Sequence, residues 1–326
     1  MNEKNIFYKN IKSYTKTLII FLAVLFMITK AYTQQSSTLS YSVDKNKIQE
    51  LSDSDPIPKK DSVNTNPYAL VAGGSKGIGY AIAEALARRK YNLILIARHA
   101  DSLNAAKNKL ETTYGIHVEV LVNDLSRDEA ATEIAKWCTD RDIHLKMLCN
   151  VAGFGGANDY LSLPLDTLRY MINLNVGSAM ALSLTLLPLL EKNAPSYILN
   201  VGSMAGFAPI PVKNLYSATK AAVVFFSYSL RYQLKGKNIS VSVLCPGPVF
   251  TKPEIKKDTK EKLGWLGMQM AVSPEKVGEI AVQETLNKKL VIVPGTLAKI
   301  ISVIIRILPR RFVVSIYNKV GKTDRQ

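Results

Sequence analysis

From Pro67 onward the chain alternates short apolar runs with longer amphipathic ones, a pattern that few folds can accommodate. YALVAGG leads into GIGYAIAEALARR, NLILIAR into ADSLNAAKNKLETTYG, and HVEVLVND into SRDEAATEIAKWC. HLKMLCNVAG, a helical stretch over 165–190, SYILNVGS, the greasy run NLYSATKAAVVFFSYSL, ISVSVLCPGPV, a helix from Ser273 and LVIVPG complete the series. The short runs are apolar almost throughout, as parallel strands covered on both faces must be. Strict strand–helix alternation with right-handed crossovers predicts an α/β fold: a Rossmann-type doubly wound parallel sheet of about seven strands, in a single domain.

The first strand runs into Ala72-Gly73-Gly74-Ser75-Lys76-Gly77-Ile78-Gly79, which opens an amphipathic helix. Glycines in that setting let the backbone turn tightly and approach a pyrophosphate, whose charge is favoured at the helix N-terminus. The end of the second strand selects the cofactor. An NAD-binding chain places a carboxylate there to accept from the ribose 2′-OH. Here it reads Ala97-Arg98-His99, with no acid before Asp101. Arg98 and Lys76 offer two cations and no anion, which suits a 2′-phosphate and predicts NADP(H).

In YSATK, Tyr216 and Lys220 stand four apart on a helix and share a face. Alone, the pair is equally well an aromatic and a charge on a core helix. A phenol titrates near about 10, and a neighbouring ammonium together with an oxidised nicotinamide is expected to lower that value.

The spacing Gly73-x-x-x-Gly77-x-Gly79 together with Tyr216-x-x-x-Lys220 resembles the short-chain dehydrogenase/reductase family in its compact single-domain form, over residues 67–295. Asp124-Leu125 after the third strand matches the family's adenine-contacting acidic position. Asn150-Val151-Ala152-Gly153 matches its NNAG turn, with Val in place of the second Asn. Asn175 and Ser203 match the helix asparagine and the active-site serine. Pro246-Gly247-Pro248-Val249-Phe250-Thr251 matches the PG motif, whose threonine contacts the nicotinamide side.

The resemblance implies that Ser75, Lys76, Ile78 and the glycines of the first turn hold the cofactor. Arg98, Asp124, Leu125, Asn150, Ala152 and Gly153 would do so with them, as would Tyr216, Lys220, Pro246, Gly247, Val249 and Thr251. It also implies that Tyr216 protonates a carbonyl oxygen, that Ser203 hydrogen-bonds that oxygen, and that Asn175 holds a water linking Lys220 to solvent. The apolar helix after Tyr216 packs against its twofold mate in the family, implying a homodimer or homotetramer.

Two other readings stay beside this one. A non-catalytic NADP(H)-binding regulatory protein on the same fold would be expected to lose Tyr, Lys or Ser, and all three are kept. A sugar-nucleotide epimerase of the extended branch would need a larger C-terminal domain than the tail after Gly295 can supply.

Residues 252–272, where the family places its substrate lid, carry Trp265, Leu266, Met268 and Met270, which favours a hydrophobic, lipid-like ketone over a sugar. A 3-oxoacyl chain, a steroid-like ketone and a sphingoid ketone all satisfy that. The formal charge is +16, and residues 288–326 hold nine Lys/Arg against one Asp, or +8. This basic amphipathic tail (296–326) is expected either to dock on an anionic membrane or to cover the substrate pocket or partner subunit. No nucleic-acid reader motif accompanies the charge.

The apolar run 17–29, preceded by four lysines, reads as an uncleaved anchor in preference to a cleaved signal within residues 1–33. A polar linker follows over 34–66, and which side of the membrane the rest faces is left open. Three widely spaced cysteines, Cys138, Cys149 and Cys245, give neither a disulfide framework nor a metal site.

Overall fold

The seven predicted strands form one sheet in the order β3-β2-β1-β4-β5-β6-β7, with every neighbouring pair parallel, in a computed structural model of the chain. The structure describes residues 66–155, 163–251, 255, 257, 259 and 267–322. The strands are β1 (Tyr68–Ala72), β2 (Asn92–Ala97), β3 (Val118–Val122), β4 (Leu145–Asn150), β5 (Ser196–Val201), β6 (Ile239–Leu244) and the short β7 (Val291–Ile292). Chain order reverses between β1 and β4, and in such sheets ligands bind outside the carboxyl ends of the strands at that switch point.

Helices α1 (Gly77–Arg88), α2 (Ala100–Tyr114) and α8 (Pro274–Leu286) cover one face. Helices α3 (Ala130–Asp140), α5 (Ser178–Thr185), α6 (Leu187–Lys192) and α7 (Asn214–Gln233) cover the other. Strand periodicity divides the core accordingly. Ala69 and Val71 of β1 point into the first layer, Leu70 and Ala72 into the second, and all four are buried. The continuous apolar runs seen in sequence are therefore strands buried on both faces.

The stretch 165–190 is not one regular helix. Helix α4 (Leu165–Ile172) passes through a π-helical turn at Asn173–Gly177 before α5 resumes. Such turns concentrate at functional sites because the extra residue re-aims one side chain; here that residue set contains Asn175.

The basic tail folds onto the body. Helices α9 (Thr296–Ile307) and α10 (Arg310–Lys322) bury Ala298, Ile305 and Val313 in a third cluster with Met204, Phe207, Val223 and Met270. Among the described residues no helix is long and apolar enough to cross a membrane; the 17–29 run, the linker, Trp265 and Leu266 lie outside them.

Candidate active site

The turn after β1 is shaped by contacts that only glycine permits. Gly73 has φ +89°, and a Cβ there would fall 2.8 Å from the Ala152 amide nitrogen. The backbone N–H groups of Val151 and Ala152 both donate to the Ala72 carbonyl, at 2.9 and 2.8 Å, which sets the β4 turn against the glycine turn. Thr251 closes over the same turn: a Cβ on Gly77 would meet its Cγ2 at 3.3 Å. No side chain caps α1, so the N–H groups at its start face outward with Lys76 exposed beside them. That cradle fits a dinucleotide pyrophosphate, which needs close backbone approach and a free helix N-terminus.

Arg98 is exposed at the end of β2, and its guanidinium lies 5.6 Å from the centre of the Tyr170 ring. Asp124 does not pair with it. Its Oδ1 accepts from the Ser126 amide at 3.0 Å and the Ser126 hydroxyl at 2.8 Å. Tyr170 stands edge-on to Phe154 at 5.8 Å, and its buried hydroxyl has no partner among the described residues.

Asn150 is placed differently from the other members of its turn. Its side chain is buried inside the sheet layer, where Nδ2 donates to Asn200 Oδ1 at 2.8 Å and Ser183 Oγ at 3.0 Å. Asn200 passes the network on to Ser227 of α7 at 2.9 Å. The side chain therefore ties β4, β5, α5 and α7 together rather than lining the cradle.

The four proposed reacting residues converge. Ser203 follows β5, and its Oγ accepts from the Ala205 amide at 3.1 Å, with the Tyr216 hydroxyl near enough to feel it. Met204 N–H donates to the Pro246 carbonyl at 3.1 Å, fixing this loop to the PG motif. Lys220 is buried, and its Nζ donates to the Val201 carbonyl at 2.8 Å. Burial without a carboxylate partner lowers its pKa to about 8. Gly153 marks the meeting point, since a Cβ there would lie 3.3 Å from both Asn175 Oδ1 and Lys220 Nζ.

Two of these groups are held by their surroundings. Without a cofactor, the Tyr216 phenol lies above its ordinary range: burial is the largest cause, opposed by the Ser203 hydroxyl and reinforced by Cys245. The Lys220 ammonium, 5.9 Å from the ring centre and bonded to Val201, does not offset that cost. Asn175 is also more committed than a water-holding role requires. Its Nδ2 donates to the Phe154 carbonyl at 3.0 Å and Thr219 Oγ1 at 3.1 Å, and its Oδ1 accepts from the Phe154 amide at 2.6 Å. Phe154, Thr219, Tyr170 and Asn200 are thus site residues that sequence reading missed. None is a fixed position of a spaced motif (Thr219 fills a variable place in Tyr216-x-x-x-Lys220), and only their packing partners reveal them.

Fold and site together define a dinucleotide-type α/β protein with a Tyr–Lys–Ser constellation at its switch point. The model of the short chain dehydrogenase family matches residues 67–262, and the chain belongs to that family. It is 35% identical over 200 residues to the very-long-chain 3-oxoacyl-CoA reductase of Mus musculus, covering 60% of this chain and 64% of that one. It is 35% identical over 187 residues to the hydroxysteroid dehydrogenase-like protein 1 of Gallus gallus, covering 57% of this chain and 56% of that one. The chain thus spans less than two thirds of these relatives' length. Among solved structures it resembles the Pseudomonas aeruginosa RhlG/NADP active-site complex, with TM-score 0.62, 27% identity, and coverage of 70% of this chain and 94% of that one. It likewise resembles the bulky-bulky ketone specific alcohol dehydrogenase of Comamonas testosteroni, with TM-score 0.63, 25% identity, and coverage of 73% and 90%.

Proposed function

We propose that the protein is an NADPH-dependent carbonyl reductase acting on a hydrophobic, lipid-like ketone. The observation that carries the reading is the convergence of Lys220 and Asn175 at Gly153, with Tyr216 and Ser203 together on the same side of a dinucleotide cradle. When bound, NADPH supplies the hydride. Gly73, Lys76, Ala152 and Thr251 would hold it, and Arg98 with Lys76 would take its 2′-phosphate.

Tyr216 donates its hydroxyl proton to the substrate oxygen, so that C=O becomes CH–OH, while Ser203 stabilises the negative charge building on that oxygen. At neutral pH the Tyr216 phenol carries its proton, as donation in this direction requires. Asn175 is a positioning residue: it clamps the Phe154 backbone at the mouth of the site and anchors it to Thr219 of the catalytic helix.

The substrate class rests on the apolar surroundings and on the relatives. Met204, Phe207 and Met270 are buried next to Ser203 and the PG motif, which leaves little to hydrogen-bond a sugar. The 3-oxoacyl-CoA reductase and bulky-ketone dehydrogenase named above act on substrates of matching character.

The assembly proposed is a homodimer through α7, which exposes Phe225 (68%) and Tyr232 (73%) seven residues apart on one face. Contact with a membrane surface, and an N-terminal anchor over 17–29, belong to the same reading.

The test is NADPH oxidation against a panel of 3-oxoacyl thioesters, steroid ketones and sphingoid ketones. Turnover is expected for at least one class and is expected to fall by about a thousandfold or more in Tyr216→Phe. Full turnover in Tyr216→Phe would remove the mechanism. A preference for NADH would remove the cofactor assignment.

A further inference from the structure

Helix α9 has two apolar sides. Ala298, Ser302 and Ile305 face inward, where the helix packs on the loop that carries Ser203. Ile300, Val303, Ile304 and Ile307 recur at i, i+3, i+4 and i+7 on the opposite side, and all four are exposed, Ile307 by 77%. Phe312 (56% exposed) and Ile316 continue the stripe on α10. A soluble surface rarely leaves such a row uncovered.

The charges around the stripe are of one sign. Lys299, Arg306, Arg310 and Arg311 are exposed along it, and neither helix contains an acidic residue. Two of these cations also lock the inner side in place. Arg310 Nη1 donates to the Phe207 carbonyl at 2.6 Å, and the Arg306 guanidinium lies 5.0 Å from the Phe207 ring centre. Lys299 and Arg311 have no such inward contact among the described residues.

We propose that this outer face docks on an anionic lipid bilayer, with α9 lying in the interface plane. The proposal deepens the membrane contact named in the reading above by giving it a surface, and it does not depend on the reductase activity. Charge decides the occupant. A second copy meeting this face across a twofold axis would set the basic rim against itself. The chain's own 17–29 run would cover the apolar stripe but bring no negative charge to it. An anionic bilayer satisfies both features at once: the isoleucines and Phe312 enter the acyl boundary and the cations meet headgroups. Because the inner side of α9 contacts the Met204–Phe207 turn, docking would place the entry for a lipid-like ketone where such molecules are concentrated.

The test uses the full chain with a single spin label. Cys138, Cys149 and Cys245 are all buried, so an Ile307→Cys variant takes the label at the new site. Asn108→Cys, exposed on α2 at the opposite sheet edge, is the control. Accessibility to oxygen and to a water-soluble relaxant is read with no vesicles, with phosphatidylcholine vesicles, and with vesicles containing 30% phosphatidylserine. The 307 label is expected to move into the oxygen-rich phase on the anionic vesicles while the 108 label stays in water. Adding Lys299→Gln and Arg311→Gln is expected to weaken that transfer by about tenfold.

A 307 label that stays water-accessible on anionic vesicles would overturn the proposal, even if the N-terminal segment holds the protein there. So would a label already shielded without vesicles, which assigns the face to a second copy or to the 17–29 run. Equal transfer on neutral vesicles would remove the role of charge and overturn it as stated. NADPH oxidation with a water-soluble ketone reads the reductase assignment separately.

Discussion

At the scale of single residues, the site depends on groups held in costly states. Lys220 is buried, with the Val201 carbonyl its only acceptor among the described residues, and its pKa falls from 10.5 to about 8. An unfolded chain keeps that proton to higher pH, so between about pH 8 and 10.5 the unfolded state binds more protons and stability rises with pH. Below pH 8 the full cost of the buried ammonium is present. Lys220→Met is therefore expected to raise the melting temperature of the cofactor-free protein at pH 7, less by about 1 kcal/mol for the lost hydrogen bond. Melts across pH 7 to 10 check this, and the gain should shrink toward the alkaline end. Arg98 presents a different case. Its guanidinium lies over the Tyr170 ring and pairs with no carboxylate among the described residues, leaving it available to a phosphate. Removing the ring in Tyr170→Leu is expected to raise the dissociation constant for NADPH by about fivefold and leave that for NADH unchanged. Tyr170→Phe should behave as wild type, and fluorescence titration with both cofactors separates the outcomes. An equal loss for both would mean that Tyr170 merely packs.

At the scale of elements, the site is placed by helix–strand junctions and by how closely the helices approach. Helices α1 and α8 touch through Gly278, where a Cβ would sit 2.3 Å from the Ala81 carbonyl oxygen. The obstacle is backbone, which cannot swing aside. Gly278→Ala is expected to push α8 away from α1 and cost about 1–3 kcal/mol, seen as a lower denaturation midpoint. The cradle also leans on α1, so NADPH affinity should fall with it. The π-turn at Asn173–Gly177 shows an element carrying function that no periodicity announces. Sequence reading predicts one helix over 165–190, because apolar spacing does not register a single inserted residue within a helix. The buried ladder Asn150–Asn200–Ser227 is comparable: its three residues come from β4, β5 and α7. Their sequence separation conceals them until the sheet forms.

At the scale of the whole molecule, two of the apolar surfaces left on the described body differ in what surrounds them. The α7 face carries Phe225 and Tyr232, and the tail carries the α9–α10 stripe with its cations. The first is the face proposed above for an isologous partner. Phe225→Glu is expected to convert a dimer to a monomer in analytical ultracentrifugation while leaving the monomer folded by circular dichroism. A dimer that survives it would move the interface elsewhere.

The sequence by itself determined the sheet, the glycine turn and the candidates for the reacting groups. Those depend on short-range spacing: alternating runs for strands and helices, a glycine wherever backbone meets backbone, and a tyrosine and lysine one helical turn apart. The tertiary structure alone decided their electrostatic state and the surfaces around them. Burial raises the Tyr216 phenol in the cofactor-free chain, where the lowering expected of lysine and oxidised nicotinamide together has only one of its two parts. Long-range contacts turned Asn175 onto Phe154 and Asn150 into the core. Whether the tail covered the site or faced outward could not follow from its amphipathic pattern. The structure gives α9 an inner side on the Ser203 loop and an outer side open to solvent, because a helix with apolar residues all round can satisfy one neighbour and still present a second face.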